Sequence, residues 1–173
     1  MILTKKESKL FFDLYIPLLG YANNYDGKNK QKTMAEARDI LYSNKQIIED
    51  FIKDNSKKFN KEKLNIIKGW KTFIKDDFVL IRSLKKYSVL LTIKGRKARA
   101  YGILGITEPV VDVALYGIGT YLENIILLPW KDKIIWDGLC IQKPIILGNN
   151  YMKSFTREYM QIKKAGNIIE KLN

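Results

Sequence analysis

The hydrophobic pattern of the chain changes near residue 76, and this change constrains the fold more than any other feature. Before Asp76-Asp77, apolar residues recur at the spacing of an α-helix, whereas after it they alternate or run continuously, as in β-strands. The strand-like segments are short, and their connections are too brief for helices that cross over a parallel sheet. A doubly wound parallel fold is thereby excluded, and an α+β fold is predicted.

The first 75 residues predict an N-terminal helical segment of about three helices. Capping boxes at residues 4–7 and 33–36 mark two helix starts, because their Thr and Glu side chains bond to backbone N–H groups that lack helical partners. Asn60 can cap a third helix. Pro17 is expected to kink or end the first helix, since proline removes a backbone donor and crowds the preceding turn.

Residues 76–148 predict the β core. The strand segments lie at 78–84, 87–93, 97–106, 124–130 and 133–141, with a further short one at 145–147. About five antiparallel strands suit a strongly twisted sheet or a small, partly closed barrel. An apolar stripe over 150–172 predicts a C-terminal helix that docks on this sheet. We therefore predict a single domain over 1–173, with a helical part at 1–75, a β core at 76–148 and a closing helix at 149–173.

The positive charge is concentrated in one part of the β core. The net charge is +13, and no acidic residue lies between Asp77 and Glu108. Strand alternation would place Lys97, Arg99 and Tyr101 on one face, where cations hold phosphates while a ring stacks on a base. The predicted nucleic-acid interface comprises Lys85, Lys86, Lys94, Arg96, Lys97, Arg99 and Tyr101. The nucleic-acid hypothesis gains if these cations form one continuous patch with Lys85 and Lys86, and it fails if they splay apart. Alternatively, the lysines simply solvate an exposed hairpin edge.

The composition argues against common catalytic and metal sites. The chain has no histidine and one cysteine, Cys140, so it lacks a plausible zinc ligand set and the usual general base at neutral pH. No catalytic residue, metal or cofactor is predicted. A metal-dependent nuclease would need several carboxylates to converge on Mg²⁺, but most of the candidates lie at predicted turns, where Asp is favoured by local backbone bonding. Those candidates are Asp76, Asp77, Glu108, Asp112, Glu123, Asp132 and Asp137.

Two tryptophans, Trp130 and Trp136, lie on the arms of one predicted hairpin and could line a ligand groove or an interface. No uncharged apolar run reaches the length of a membrane span, so we expect no membrane partner and a cytoplasmic location. The leading hypothesis is a non-enzymatic binding or adaptor protein that contacts nucleic acid or another acidic partner. A protein-interaction or self-assembly module using the Trp130/Trp136 hairpin is the first alternative, and a metal-dependent nuclease is the second.

Three parts of the chain resemble an uncharacterised protein family of low-GC Gram-positive bacteria. They are Trp70 with the 78–84 strand and Lys85-Lys86, the block at 128–139, and the run at 164–169. Some members of that family carry a C-terminal, cysteine-rich SEC-C-type zinc motif, whereas this sequence has no Cys or His after Cys140. The family has no established activity, so the resemblance implies continuity of fold and no particular chemistry.

Overall fold

The computed structural model describes residues 1–25, 27, 32–93, 95 and 97–172, without the side chains of 141–146. The chain divides into two compact units. The helical unit is Thr4–Lys71, and the β unit combines Met1–Leu3 with Thr72–Asn173. Whether the chain behaves as a single domain stays a prediction.

The described residues of the helical unit form four helices. Both predicted capping boxes form: the Glu7 N–H donates to Thr4 Oγ1 over 3.2 Å, and the Glu36 N–H donates to Thr33 Oγ1 over 3.3 Å. The Asn60 side chain accepts from the Lys63 N–H, as expected of a cap. The helices are α1 (Lys5–Asn24), α2 (Met34–Ser43), α3 (Gln46–Asp54) and α4 (Lys61–Gly69), and the 3₁₀ turn Trp70–Thr72 follows.

Two local features of this unit differ from the sequence expectations. Pro17 lies inside α1 and does not end it, since the helix continues to Asn24; a kink at Pro17 stays a prediction. The second predicted helix is two helices, α2 and α3, because Asn44 adopts an extended conformation between them. The Asn44 side chain accepts from the Gln46 N–H over 3.0 Å and so starts the new helix.

Three aromatic side chains pack α1 against the C-terminal end of the helical unit. The Phe11 and Tyr15 rings stack with centroids 4.8 Å apart, and both meet the Trp70 ring edge-on at 5.7 and 5.5 Å. All three side chains are fully buried. Edge-to-face rings stabilise a core beyond the apolar area they remove from water, so this cluster orders both termini of the unit.

Where the structure describes the β unit, it contains six strands and two helices. The strands are β1 (Ile74–Ser83), β2 (Ser88–Thr92), β3 (Ala100–Leu104), β4 (Thr120–Trp130), β5 (Lys133–Trp136) and β6 (Ile141–Ile146). The short helix α5 (Val110–Val113) lies between β3 and β4, and α6 (Asn149–Lys164) follows β6. The predicted α+β class, with an N-terminal helical segment and a C-terminal helix, is confirmed.

Five of the strands pair in a ring. The order is β1-β2-β3-β5-β4, β4 also pairs with β1, and β6 pairs with β4. All these pairs are antiparallel except β3 with β5, which run parallel over only two residue pairs. The expectation of a wholly antiparallel sheet is therefore wrong for this pair. The result is a mixed sheet that curls into a partly open barrel without regular closure.

Two register shifts in β1 allow this strand to pair with β4 near its start and with β2 near its end. Its register shifts against β4 between Asp76 and Phe78, and against β2 between Leu80 and Arg82. Bulges bend a strand and increase its twist, so β1 can leave β4 and continue along β2. Asp77 fixes the first bulge from inside: its carboxylate accepts from the Tyr121 hydroxyl and the Asn124 N–H, each over 3.0 Å.

The two faces of the sheet are both buried. One face belongs to a core with Phe78, Leu80, Leu90 and Ile103. The opposite face of β1, β2 and β3 packs against the apolar stripe of α6, which includes Met152, Phe155, Tyr159 and Ile162. The predicted docking of the closing helix on the sheet is confirmed.

The closing helix ends earlier than predicted, at Lys164. Gly166 has φ +69°, and the Asn167 N–H bonds to the Ile162 carbonyl over 3.0 Å while the Gly166 N–H bonds to Lys163. This pair of bonds is the Schellman arrangement, which stops a helix at a glycine. The chain then runs as a C-terminal tail (residues 167–172) alongside β3, where Ile169 bonds to Ala100 and Gly102 over 2.9 Å each.

Candidate nucleic-acid interface

The predicted basic residues are divided between the two ends of β2. Lys85 and Lys86 are exposed in the β1–β2 turn, and Lys97 and Arg99 are exposed in the β2–β3 connection. Lys94 and Arg96 lie outside the described residues. The five residues of β2 separate the two turns by about 13 Å. The described residues therefore form two basic clusters and not one continuous patch, which counts against a single compact interface.

Tyr101 is not a stacking ring on an exposed face, so this part of the prediction is wrong. Its side chain is 2 % exposed and meets the Phe78 ring edge-on at 5.8 Å. The strand begins at Ala100, so Lys97 and Arg99 precede it and do not continue its alternation. Burial raises the pKa of the Tyr101 phenol.

The β unit exposes a larger excess of basic over acidic side chains than its net charge indicates. The unit has 16 basic and 9 acidic side chains, a net charge of +7. Among its described residues, thirteen basic side chains are exposed but only three acidic ones, Glu108, Asp112 and Asp132. The exposed cations are Lys75, Arg82, Lys85, Lys86, Lys97, Arg99, Lys131, Lys133, Lys153, Arg157, Lys163, Lys164 and Lys171.

Three acids of the unit that are not exposed, Asp76, Asp77 and Asp137, accept hydrogen bonds from backbone N–H groups. Asp77 holds the β1 bulge, and Asp137 is buried and accepts from the Leu139 N–H over 3.1 Å. Asp76 accepts from the Asp77 N–H. These three acids therefore bond to the backbone, and among the described residues the exposed cations of the unit outnumber its exposed carboxylates.

A groove of about 270 Å³ lies beside the β1–β2 turn, and we call it the turn groove. Lys86, Tyr87, Lys133 and Glu170 line it, and Gly102 lies beneath the Tyr87 ring. A Cβ on residue 102 would stand 3.0 Å from that ring, so glycine permits the close approach.

A tail carboxylate already occupies the turn groove. Lys86 Nζ lies 2.6 Å from Glu170 Oε2, and this contact, with a hydrogen bond from Tyr87, holds the pKa of Glu170 below its usual range. Burial and the same hydrogen bond raise the pKa of Tyr87 to about 12. The Lys86 side chain is 74 % exposed and that of Glu170 is 40 % exposed. Exposed pairs of this kind contribute about 1 kcal/mol or less.

The second basic cluster borders a larger groove of about 490 Å³ between the β2–β3 connection and α6. Lys97, Phe155, Glu158, Gln161 and Asn167 are among its lining residues. This groove has charges of both signs, unlike the surrounding exposed surface. No local sequence pattern indicates this groove, because its two walls are separated by some sixty residues of chain.

The tryptophan hairpin does not provide a surface, so the first alternative loses its site. Trp130 is 1 % exposed and Trp136 is 2 % exposed, and the Trp136 indole N–H donates to the Leu139 carbonyl over 3.2 Å. Sequence reasoning missed the apolar side chains that are exposed between α5 and β4. They are Val113, Leu115, Tyr116 and Ile118, and the glycines at 117 and 119 were the available signal of a loop.

The described residues contain no group of three or more Cys, Asp or Glu side chains placed to hold a metal ion. Cys140 is half-buried. Within the same described part of the chain, no helix combines the length and the apolar character needed to cross a membrane.

Comparison with known proteins gave no relative: no protein-family model, curated protein or solved structure matches this chain. The resemblance to an uncharacterised bacterial family stays a prediction.

Proposed function

We propose that this chain is a non-enzymatic protein that binds the phosphate backbone of nucleic acid through the exposed basic side chains of its β unit. The observation that carries the proposal is the ratio of thirteen exposed cations to three exposed carboxylates among the described residues of that unit. Cations that neutralise phosphates release condensed counterions, and this release drives sequence-independent binding.

The strand connectivity supports the same proposal. The ring order β1-β2-β3-β5-β4, with a helix between β3 and β4, is the connectivity of the OB-fold, a small barrel often used to bind oligonucleotides. A shared fold is an argument by analogy, since one fold supports many functions. It raises the expectation of nucleic acid above that of other acidic partners.

The structure also limits how the ligand is contacted. In an OB-fold the face of β2 and β3 holds the bases, but here α6 covers that face and Tyr101 is buried. Contacts from Lys85 at one turn and from Lys97 and Arg99 at the other reach phosphates without reading bases. We therefore expect little preference for sequence, and we place the protein in the cytoplasm, where such a ligand is available.

Binding can be measured by fluorescence anisotropy with labelled single-stranded RNA, single-stranded DNA and duplex DNA of roughly 20 nucleotides. We expect similar affinities for unrelated sequences, and a loss of roughly tenfold or more between about 50 and about 200 mM salt. The triple variant Lys85→Glu, Lys97→Glu and Arg99→Glu should weaken binding by about tenfold or more.

The matched control reverses three exposed lysines of the helical unit, Lys53, Lys57 and Lys61, to Glu. It changes the net charge equally, and we expect about a threefold loss or less, because long-range charge is screened. Equal losses in the two variants would show that the β unit is not the interface. Equally tight binding of polyglutamate would show that the partner is not specifically nucleic acid.

A further inference from the structure

We infer that the Glu170 carboxylate occupies a phosphate subsite formed by Lys86, Tyr87 and Lys133, so that Glu170 must turn away when nucleic acid binds the turn groove. This inference rests on the proposed function and adds a regulatory element to it. The chain would thereby limit its own affinity with a carboxylate that takes the place of the ligand's phosphate.

The subsite is suited to an oxyanion. The Lys86 ammonium reaches a Glu170 oxygen over 2.6 Å, and Tyr87 lines the groove beside this carboxylate. Charge-assisted bonds of this type serve carboxylates and phosphates alike. Lys133 lines the same groove, so a phosphodiester placed there would meet two ammonium groups within about 270 Å³.

The backbone around Glu170 is held in place independently of its side chain. The Ile169 N–H donates to the Ala100 carbonyl and the Gly102 N–H donates to the Ile169 carbonyl, each over 2.9 Å. Ile169 and Leu172 pack against the inner core of the β unit. Turning the Glu170 side chain into solvent breaks none of these contacts, so the groove can open while the tail remains docked.

Among the described ion pairs, Glu170 is the carboxylate that pairs with Lys86. The three exposed carboxylates of the unit lack any contact with Lys86 among the described ion pairs, and Asp132 lines the groove without pairing with it. Glu170 is brought there by the pairing of the tail with β3, across 84 residues of sequence.

The test compares Glu170→Gln with wild type in the anisotropy assay at low salt, using single-stranded RNA as the probe. Gln keeps the size and hydrogen-bonding capacity but removes the charge, so we expect roughly two- to fivefold tighter binding. Asp112→Asn is the control, since it changes the net charge equally at an exposed site on α5. The unfolding midpoint of each variant confirms that the fold is retained.

A double-mutant cycle with Lys86→Ala isolates the masking effect. If Glu170 masks Lys86, the gain from Glu170→Gln disappears in the Lys86→Ala background. Equal gains in both backgrounds, or the same gain from Asp112→Asn, would overturn the inference by showing an effect of net charge alone. Unchanged affinity in Glu170→Gln, with wild type still binding, would overturn the masking and leave the proposed function standing. No binding by any variant would overturn both.

Discussion

The two units have nearly the same net charge but use their carboxylates differently. The helical unit has 15 basic and 9 acidic side chains, and the β unit has 16 and 9. Among described residues, the helical unit exposes nine cations and four carboxylates, whereas the β unit exposes thirteen and three. The exposed carboxylates differ by one and the exposed cations by four, so the surface charge of the two units differs mainly in the cations, while their carboxylates differ in what they contact.

The helical unit keeps its acids at the surface as partners of side chains. The Tyr21 hydroxyl donates to Asp54 over 2.7 Å and the Tyr25 hydroxyl donates to Asp50 over 2.6 Å. Glu49 pairs with Lys71. These contacts connect α1 to α3 and balance the charge locally, whereas the buried Asp77 and Asp137 of the β unit accept hydrogen bonds from backbone N–H groups.

The prediction with the largest expected effect concerns Asp77, a buried carboxylate of the β unit. Asp77→Ala removes the acceptor for the Tyr121 hydroxyl and the Asn124 N–H, and should lower the free energy of unfolding by about 3 kcal/mol. Asp54→Ala, which removes one surface partner of Tyr21, should have a small fraction of this effect. Urea denaturation measures both. Similar losses would contradict the contrast between interior and surface acids.

A second contrast uses the same substitution in each unit. Gly166→Ala forces alanine to φ +69° at the end of α6 and should lower stability by about 1 kcal/mol. Gly20→Ala lies inside α1 with nothing within 4 Å of the new methyl group, and should raise stability by about 0.5–1 kcal/mol. Thermal unfolding of the two variants should therefore shift in opposite directions. A stabilising Gly166→Ala would contradict the Schellman end of the helix.

The smallest expected effect concerns acid pH. Hydrogen bonds from Thr33, Lys71 and Tyr25 lower the pKa of Glu36, Glu49 and Asp50, respectively. A lowered folded-state pKa stabilises above the unfolded value, and this contribution is lost as the pH falls through the folded value. Amide exchange should therefore show the helical unit weakening between about pH 5 and about pH 3.

The matched variant for this pH effect is Glu36→Gln, which cannot titrate. It should reduce the loss of amide protection in α2 on acidification while leaving α6 unchanged. In the β unit, Glu170 is the corresponding case, with a pKa lowered chiefly by Lys86. Earlier weakening of the β unit would show that its buried acids dominate the acid response.

Local sequence signals predicted the parts of the fold that depend on local bonds. The two capping boxes formed because each needs only four consecutive residues. The end of α6 was missed although its signal is also local: two lysines, an alanine and Gly166 are typical of a helix C-terminus. Following the apolar stripe past this glycine placed Ile169 and Leu172 on a helix, whereas they lie in the extended tail.

The candidate site depended on features that a sequence shows poorly. The prediction assumed an exposed face on β3, whereas all five residues of the strand are buried, because a core lies on one face and α6 on the other; Tyr101 lies in that core. The parallel pairing of β3 with β5 and the contact between Lys86 and Glu170 join distant segments. No local pattern encodes such contacts, so the carboxylate in the turn groove was visible only in the structure.

The pairing of β3 with segments from both ends of the chain has a consequence for the order of folding. Residue 105, next to β3, bonds to Met1 and Leu3, and β3 itself bonds to Ile169. During synthesis, the residues of the helical unit emerge as one continuous stretch, but the edge of β3 stays incomplete until Ile169 has been added. Contacts so distant in sequence slow the final folding step, and the β unit is therefore the more vulnerable to aggregation while the chain is still growing.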